Sequence, residues 1–252
     1  MQQHPLFIGT AGWSIASRYA AEFPAQGSHL ERYGKRLGCV EINTSFYRPH
    51  QPKTYLRWAA SVPDEFRFSV KLPKAITHEA GLVGAEAALD KFLQDIAGLG
   101  GKLCVLLVQL PPHLKFETQT AEDFFRLLRG KTASHIALEP RHPSWFCHEA
   151  ETMMKTHHVA RVAADPSRAA NGDEPGGWDQ LRYFRLHGTP DVYFSDYSAE
   201  SLLAIGRRVA ASSADGAEVW CIFDNTAKSH ALGNALSLMR SLGEPGQEPH
   251  GS

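Results

Sequence analysis

Seven short apolar runs in this chain end in charged or amide residues, and strand geometry decides which of those residues can meet. The runs close as Val40-Glu41-Ile42-Asn43, Phe68-Ser69-Val70-Lys71, Leu107-Val108-Gln109, Ala137-Leu138-Glu139-Pro140-Arg141, Ala163-Ala164-Asp165, Phe184-Arg185-Leu186-His187 and Ile222-Phe223-Asp224-Asn225. Successive strand side chains point to opposite faces. Residues 41 and 43, 139 and 141, or 185 and 187 therefore share a face, while Ile42, Leu138 and Leu186 point the other way. A parallel barrel under a coat of helices asks for this pattern. Outward residues pack beneath helices, and inward residues at the C-terminal strand ends floor a site.

Runs and breakers repeat in strand–helix order. Strands are predicted at 6–10, 39–43, 66–71, 103–109, 136–139, 160–165, 181–187 and 218–224. Helices are predicted at 29–36, from Pro52 onward, and at 85–97, 121–128, 150–156, 199–210 and 229–242. Ala88, Phe92 and Ile96 show the helical spacing in one of these, and Pro52 suits an early helical position. Eight alternating units at 252 residues predict an α/β chain, a single (β/α)8 TIM barrel over residues 1–242. A doubly wound sheet is the competitor, but its phosphate-binding glycine fingerprint is missing. One unit is irregular. Residues 166–180, with Asn171-Gly172-Asp173-Glu174-Pro175-Gly176-Gly177, read as a loop, so the sixth helix is expected to be missing or very short. The Gly/Pro-rich tail, 243–252, is expected to be disordered.

Charge narrows the partners. Twenty-six basic and 27 acidic residues leave a net charge of −1, which gives no global support for nucleic-acid binding. The four cysteines form no CxxC pair, and Cys39, Cys104 and Cys221 fall within predicted strands, where reduced core thiols are expected. No charged and then apolar leader opens the chain, and no apolar run nears membrane-spanning length. These features lead to an expectation of a cytoplasmic protein without a membrane partner. Oligomeric state is not legible.

The inward set at the strand ends is Glu41, Asn43, Lys71, Gln109, Glu139, Arg141, Asp165, Arg185, His187 and Asn225. Mutual charge compensation is one explanation of such a set. A site is the other, because seven of eight strands carry a polar group to the end where barrel active sites lie. Paired carboxylates and a histidine among cations make Glu41, Glu139 and His187 the acid/base candidates. Lys71, Arg141 and Arg185 suit an anionic ligand, since arginine forks match phosphate or carboxylate. Those same cations disfavour a metal in the mouth, and a single strand-end histidine is a poor zinc set. No metal or other cofactor is expected. Loops after the first, fifth and seventh strands offer Trp13, Trp145 and Tyr193 to enclose the organic part of a ligand, and His142, just beyond the fifth strand, is a further binding candidate. No GxSxG elbow and no local Cys–His pair supports nucleophilic catalysis.

Together the stretches Gly9-Thr10-Ala11-Gly12-Trp13, Val40 to Tyr47, Lys71 with Ile76-Thr77-His78, Val108 to Pro112, Glu139 to Trp145, Arg185 to Gly188 and Phe223-Asp224-Asn225 resemble the YecE-like family, TIM-barrel proteins of unknown function. Ala11 and Asp224 depart from the residues common there, Ser and Asn. The resemblance implies the barrel fold and carries no settled activity. Its likeness to endonuclease-IV-like barrels is one of fold alone.

The functional expectation is an enzyme, a hydrolase or lyase, acting on a small or terminal anionic, phosphorylated substrate by acid/base chemistry at the C-terminal mouth. One alternative is a non-catalytic binding module for nucleic acid or a phosphorylated metabolite. Another is a metal-dependent phosphodiesterase using Glu139, Asp165 and His187.

Overall fold

The computed structural model describes residues 5–243. Among the described residues are ten strands: β1 (Leu6–Thr10), β2 (Cys39–Ile42), β3 (Arg67–Lys71), β4 (Leu103–Gln109), β5 (His135–Glu139), β6 (Val159–Arg161), β7 (Ala163–Asp165), β8 (Gly176–Gly177), β9 (Leu181–Leu186) and β10 (Glu218–Phe223). Seven α-helices lie between and after them: α1 (His29–Gly34), α2 (Pro52–Ala60), α3 (Glu86–Ile96), α4 (Thr118–Lys131), α5 (His148–Thr156), α6 (Ala199–Ala214) and α7 (His230–Gly243). Gly243 thus ends a helix, and the rest of the expected tail lies outside the described residues.

Local chemistry starts several helices. Ser28 and Glu31 form a reciprocal capping box before α1, with Ser28 Oγ accepting from the Glu31 N–H and Glu31 Oε2 accepting from the Ser28 N–H. Ser198 caps α6 by accepting from the Ser201 N–H at 3.1 Å. Pro52 occupies the first turn of α2, where its missing N–H breaks no helical bond.

The strands form two sheets, β2-β3-β4-β5-β6-β8 and β1-β10-β9-β7, parallel except for β8 against β6. The predicted sixth strand is one extended run divided between them. β6 pairs with β5, β7 pairs with β9, and only Val162 separates the two, its N–H donating to Leu138 O at 2.8 Å. On the other side β1 meets β2 through a single bridge, Ala11 to Glu41, with the Gly12 N–H donating to Glu41 O at 2.9 Å. That meeting is close. A Cβ on Gly9 would collide with the carbonyl oxygen of Cys39.

Residues 166–180 contain no helix among the described residues and instead supply β8. Two apolar cores result. A large one lies between strands and helices, and a small one, with Cys39, Val105, Leu107, Ala137, Ala160, Val162, Tyr183, Trp220 and Ile222, lies on the inner strand faces. Both faces of β2, β4 and β5 are therefore buried along most of their length, as parallel strands under helices require.

Candidate functional site

Arg185 stands at the centre of the inner face. Its Nη2 and Nε donate to Glu41 Oε1 and Oε2 at 2.6 and 2.9 Å, and its Nη1 donates to Glu139 Oε2 at 2.9 Å. Nη2 also lies 3.0 Å from Asp224 Oδ2. β9 and β10 explain the meeting, because Ile222 pairs with Arg185 and Asp224 continues the face of Ile222. Tyr183, two residues before Arg185 on the same face, donates to Glu41 Oε2 at 2.9 Å and lies 3.0 Å from Ser69 Oγ.

Glu139 gathers the other half of the cluster. Gln109 Nε2 donates to both of its oxygens at 3.0 Å, Arg141 Nε donates to Oε1 at 3.2 Å, and His187 Nε2 lies 3.2 Å from Oε1. His187 Nδ1 faces Asp224 Oδ2 at 3.0 Å, so both ring nitrogens meet carboxylates. Burial alone would raise the Glu139 carboxyl, but the charges of Arg185, His187 and Arg141 outweigh it and hold it well below the usual carboxylate range. Burial also opposes the charged form of His187, and Glu139 and Asp224 reverse that and hold the imidazole above its ordinary value. Asp224 is held low by Arg185 and His187 against its own burial. Glu139, His187 and Asp224 each favour the charged form of the others.

Lys71 is different. It is 5% exposed, and its Nζ sits 3.9 Å from the centre of the Phe46 ring. Among the described residues no carboxylate lies within 4.0 Å of it. Burial, reinforced by repulsion from Arg185, lowers it to about 8, with Glu41, Glu139 and Asp224 offsetting part of the loss. His78 packs edge-on to Phe46. Its burial, with the charges of Lys71 and Arg141, lowers it to about 4. The mouth above Glu139 and His187 is a cavity of about 80 Å³ lined also by Arg141, Ala164, Phe146 and residues 166–169.

The structure thus brings Glu41, Gln109, Glu139, Arg141, Arg185 and His187 together, with Lys71 beside them. Several expected members differ. Arg185 is fully buried and its donors face carboxylates, so it holds the cluster together instead of presenting a fork to a ligand. Glu41 is likewise buried, with both carboxylate oxygens paired to Arg185. Asp165 points outward. Its Oδ2 accepts from Tyr197 at 2.6 Å, and it lines a separate cavity of about 410 Å³ between β7, β9 and α6. Ala160 and Val162 face inward on that run, so Ala164, not Asp165, completes their face. The trio Glu139, Asp165 and His187 is consequently not assembled.

Asn225 also faces away, donating to Ser195 O and Asn234 Oδ1, and Asp224 takes the inward position instead. Asn43 precedes a short turn, and its Oδ1 is buried with no hydrogen-bond partner among the described residues. His142 Nδ1 accepts from the Ser144 N–H and caps a turn. Trp145 is 1% exposed, donates to Leu114 O at 2.9 Å and packs on Phe116, and it does not line the cavity above Glu139 and His187. Trp13 packs edge-on against Trp58 of α2. Tyr193 does reach the mouth, with its ring edge-on to His187 and its hydroxyl 3.5 Å from Arg141 Nη2. Asp224, Tyr183, Phe46 and His78 were not among the expected site residues. The period-two spacing of Tyr183, Arg185 and His187 was the available signal for Tyr183.

Comparison with known proteins places this architecture. The model of a family described as "Protein of unknown function DUF72" matches residues 7–251. The UPF0759 protein YecE of Escherichia coli (strain K12) is 32% identical over 176 residues, 68% of this chain and 62% of that protein. The match therefore spans under two thirds of that relative's length. A DUF72 family protein from Enterococcus faecalis V583 superposes with a TM-score of 0.81 at 22% identity, covering 96% of this chain and 97% of that one. A fusion protein of a xylose isomerase-like TIM barrel with 4-hydroxyphenylpyruvate dioxygenase gives 0.52 at 16% identity, over 94% of this chain and 42% of that one. The likeness to both structures is one of fold. The chain belongs to the DUF72 family.

Proposed function

We propose that this chain is a closed (β/α)8 enzyme whose mouth takes a small anionic, phosphorylated substrate between Lys71 and Arg141. In this reading Lys71 exchanges the proton during acid/base chemistry. The observation that carries it is the buried ammonium of Lys71 with no carboxylate within 4.0 Å among the described residues. Three carboxylates, Glu41, Glu139 and Asp224, already face Arg185, Arg141 and His187, whose charged form Glu139 and Asp224 favour. Lys71 is one cation more, so the mouth has positive charge left for a ligand. A lysine lowered to about 8 populates both protonation states near neutral pH, as an acid/base group must.

The other candidates suit that role less well. Glu139 is held ionised by its neighbours, and His187 has a carboxylate at each nitrogen. These groups are better suited to holding Arg141 and the electrostatics of the mouth in place. The Arg141 guanidinium spends Nε on Glu139 and keeps Nη1 for a ligand oxygen. Phe146 lines the cavity, with Tyr193 edge-on to His187 and Phe46 against Lys71 beside it. The four free cysteines fit a reducing, cytoplasmic setting. Among the described residues no helix is long and apolar enough to cross a membrane.

Thermal shift with inorganic phosphate and a panel of phosphorylated metabolites tests the reading, since a ligand of the native state raises the melting temperature. The parent should be stabilised, while Lys71→Met and Arg141→Met should lose the response. Equal responses in all three would refute the anion site. Turnover of a stabilising compound then separates an enzyme from a binding module.

A further inference from the structure

We propose that Cys104, His135 and Glu218 form a divalent-metal site of the zinc type at the N-terminal end of the strands, opposite the mouth. One potential donor atom from each residue lies within 4.8 Å of the other two. Cys104 Sγ is 3.2 Å from Glu218 Oε1, and His135 Nε2 is 3.8 Å from Glu218 Oε2. Zinc sits about 2.3 Å from a thiolate sulfur and about 2.0–2.2 Å from an imidazole nitrogen or carboxylate oxygen. Donors this close reach one ion with small side-chain adjustments.

The backbone makes a specific provision for this meeting. β4 and β3 pair as Leu103 with Phe68 and then Val105 with Ser69, so Cys104 is the extra residue of a β-bulge. Regular alternation would turn Cys104 away from the face of Val105 and Leu107, whereas a bulge re-aims the side chain. Cys104 instead packs against the inner-face core. His135 and Glu218 reach the same face by ordinary alternation with Ala137 and Trp220.

Charge gives an independent reason. Among the described residues Glu218 has no lysine or arginine within 4.0 Å, and its partners are a thiol, an imidazole and the indole of Trp220. Burial and the Glu218 carboxylate push the Cys104 thiol up; the Arg67 charge opposes this only in part, and its guanidinium is tied to the backbone carbonyls of Asp64 and Phe66. A divalent ion would complete the charge balance of the carboxylate. A mixed sulfur, nitrogen and oxygen set suits zinc, with a fourth position left for water. Trp220 Nε1, donating to Glu218 Oε1 at 2.7 Å, supplies the outer hydrogen bond that orients such a ligand. All three side chains are part-buried, so each keeps some solvent exposure. On binding, the thiol proton passes to solvent and the thiolate bonds the metal. Bound there, the ion would tie β4 and β5 to β10 across the floor of the strands.

Titrating the full chain with cobalt(II), followed by zinc, tests the site. One equivalent of cobalt should produce thiolate-to-cobalt charge-transfer absorbance, which zinc should bleach while raising the melting temperature. Cys104→Ser, shown folded by circular dichroism, should lose the band. His135→Asn should bind cobalt more weakly, and Trp220→Phe should lose about 10–100-fold in affinity. Cys147→Ser, which removes the exposed thiol beside His148, should leave the band intact. A folded parent without the band, or a band that survives in Cys104→Ser, would overturn the proposal.

Discussion

Arg185 grips Glu41 with two of its three nitrogens, Nη2 to Oε1 at 2.6 Å and Nε to Oε2 at 2.9 Å, and water touches neither side chain. A planar fork holding a carboxylate in this way cannot be copied by an ammonium. Removing one member of a buried pair leaves the other as an uncompensated charge, at a cost of about 3–5 kcal/mol. Arg185→Met should lose at least that much stability, since Glu41, Glu139 and Asp224 all depend on it. Arg185→Lys should be destabilised as well, even though the charge is kept. Urea midpoints decide this, and a Lys variant as stable as the parent would show that the fork is dispensable.

Tyr183 Oη is the only hydroxyl donating to Glu41 among the described residues. Tyr183→Phe keeps the ring against Trp220 but leaves a lone pair of a buried carboxylate unmet. A loss of about 1–3 kcal/mol is expected. Because this hydroxyl lies beneath the mouth, phosphate should still stabilise the variant in a thermal-shift assay.

Lys71 carries a stability penalty that depends on pH. Its folded value of about 8 lies below the ordinary lysine value. Below pH 8 the side chain is charged in both states, so the full penalty is present. As pH rises through about 8 the folded state gives up its proton first, and the penalty fades toward the unfolded value of about 10.4. Lys71→Met should therefore melt at a higher temperature than the parent at pH 7, with a gain of up to about 3 kcal/mol. The advantage should shrink above pH 9. Phosphate binding by the parent should weaken over the same range, because the neutral amine no longer attracts the anion.

Gly9 sits where β1 crosses Cys39 of β2, and a methyl group there meets backbone that cannot move aside. Gly9→Ala should destabilise the chain by about 1–3 kcal/mol through overpacking. Hydrogen exchange should show the loss first at the Gly12 N–H, whose bond to Glu41 O joins the two strands.

Much of the site was legible because some strands declare their faces. Phe184-Arg185-Leu186-His187 alternates cleanly, so Arg185 and His187 could be placed inward from sequence. Leu138-Glu139-Pro140-Arg141 behaves the same way. The closing stretch Asp224-Asn225 does not, because both residues are polar and both sides of β10 are apolar. Only the pairing of Ile222 with Arg185 assigns Asp224 to the cluster. Ala163-Ala164-Asp165 was equally ambiguous, since alanine fits either face. What sequence cannot express is saturation. That Arg185 is surrounded by carboxylates while Lys71 has none within 4.0 Å among the described residues depends on contacts between strands more than 40 residues apart.

The stretch between β7 and β9 is long enough to have made a helix, and the chain uses it otherwise. Pro166, Ser167, Arg168, Ala169 and Gly172 form a wall of the cavity above Glu139 and His187, and Gly176–Gly177 adds an antiparallel edge to β6. A helix there would have shielded the outside of the strands and left the mouth wide. The molecule instead has a cavity of about 410 Å³ on its flank, beside Asp165, and a smaller one of about 80 Å³ above Glu139 and His187. Entrance size and the integrity of the outer coat are thereby coupled, so relatives that differ in this stretch should differ in both at once.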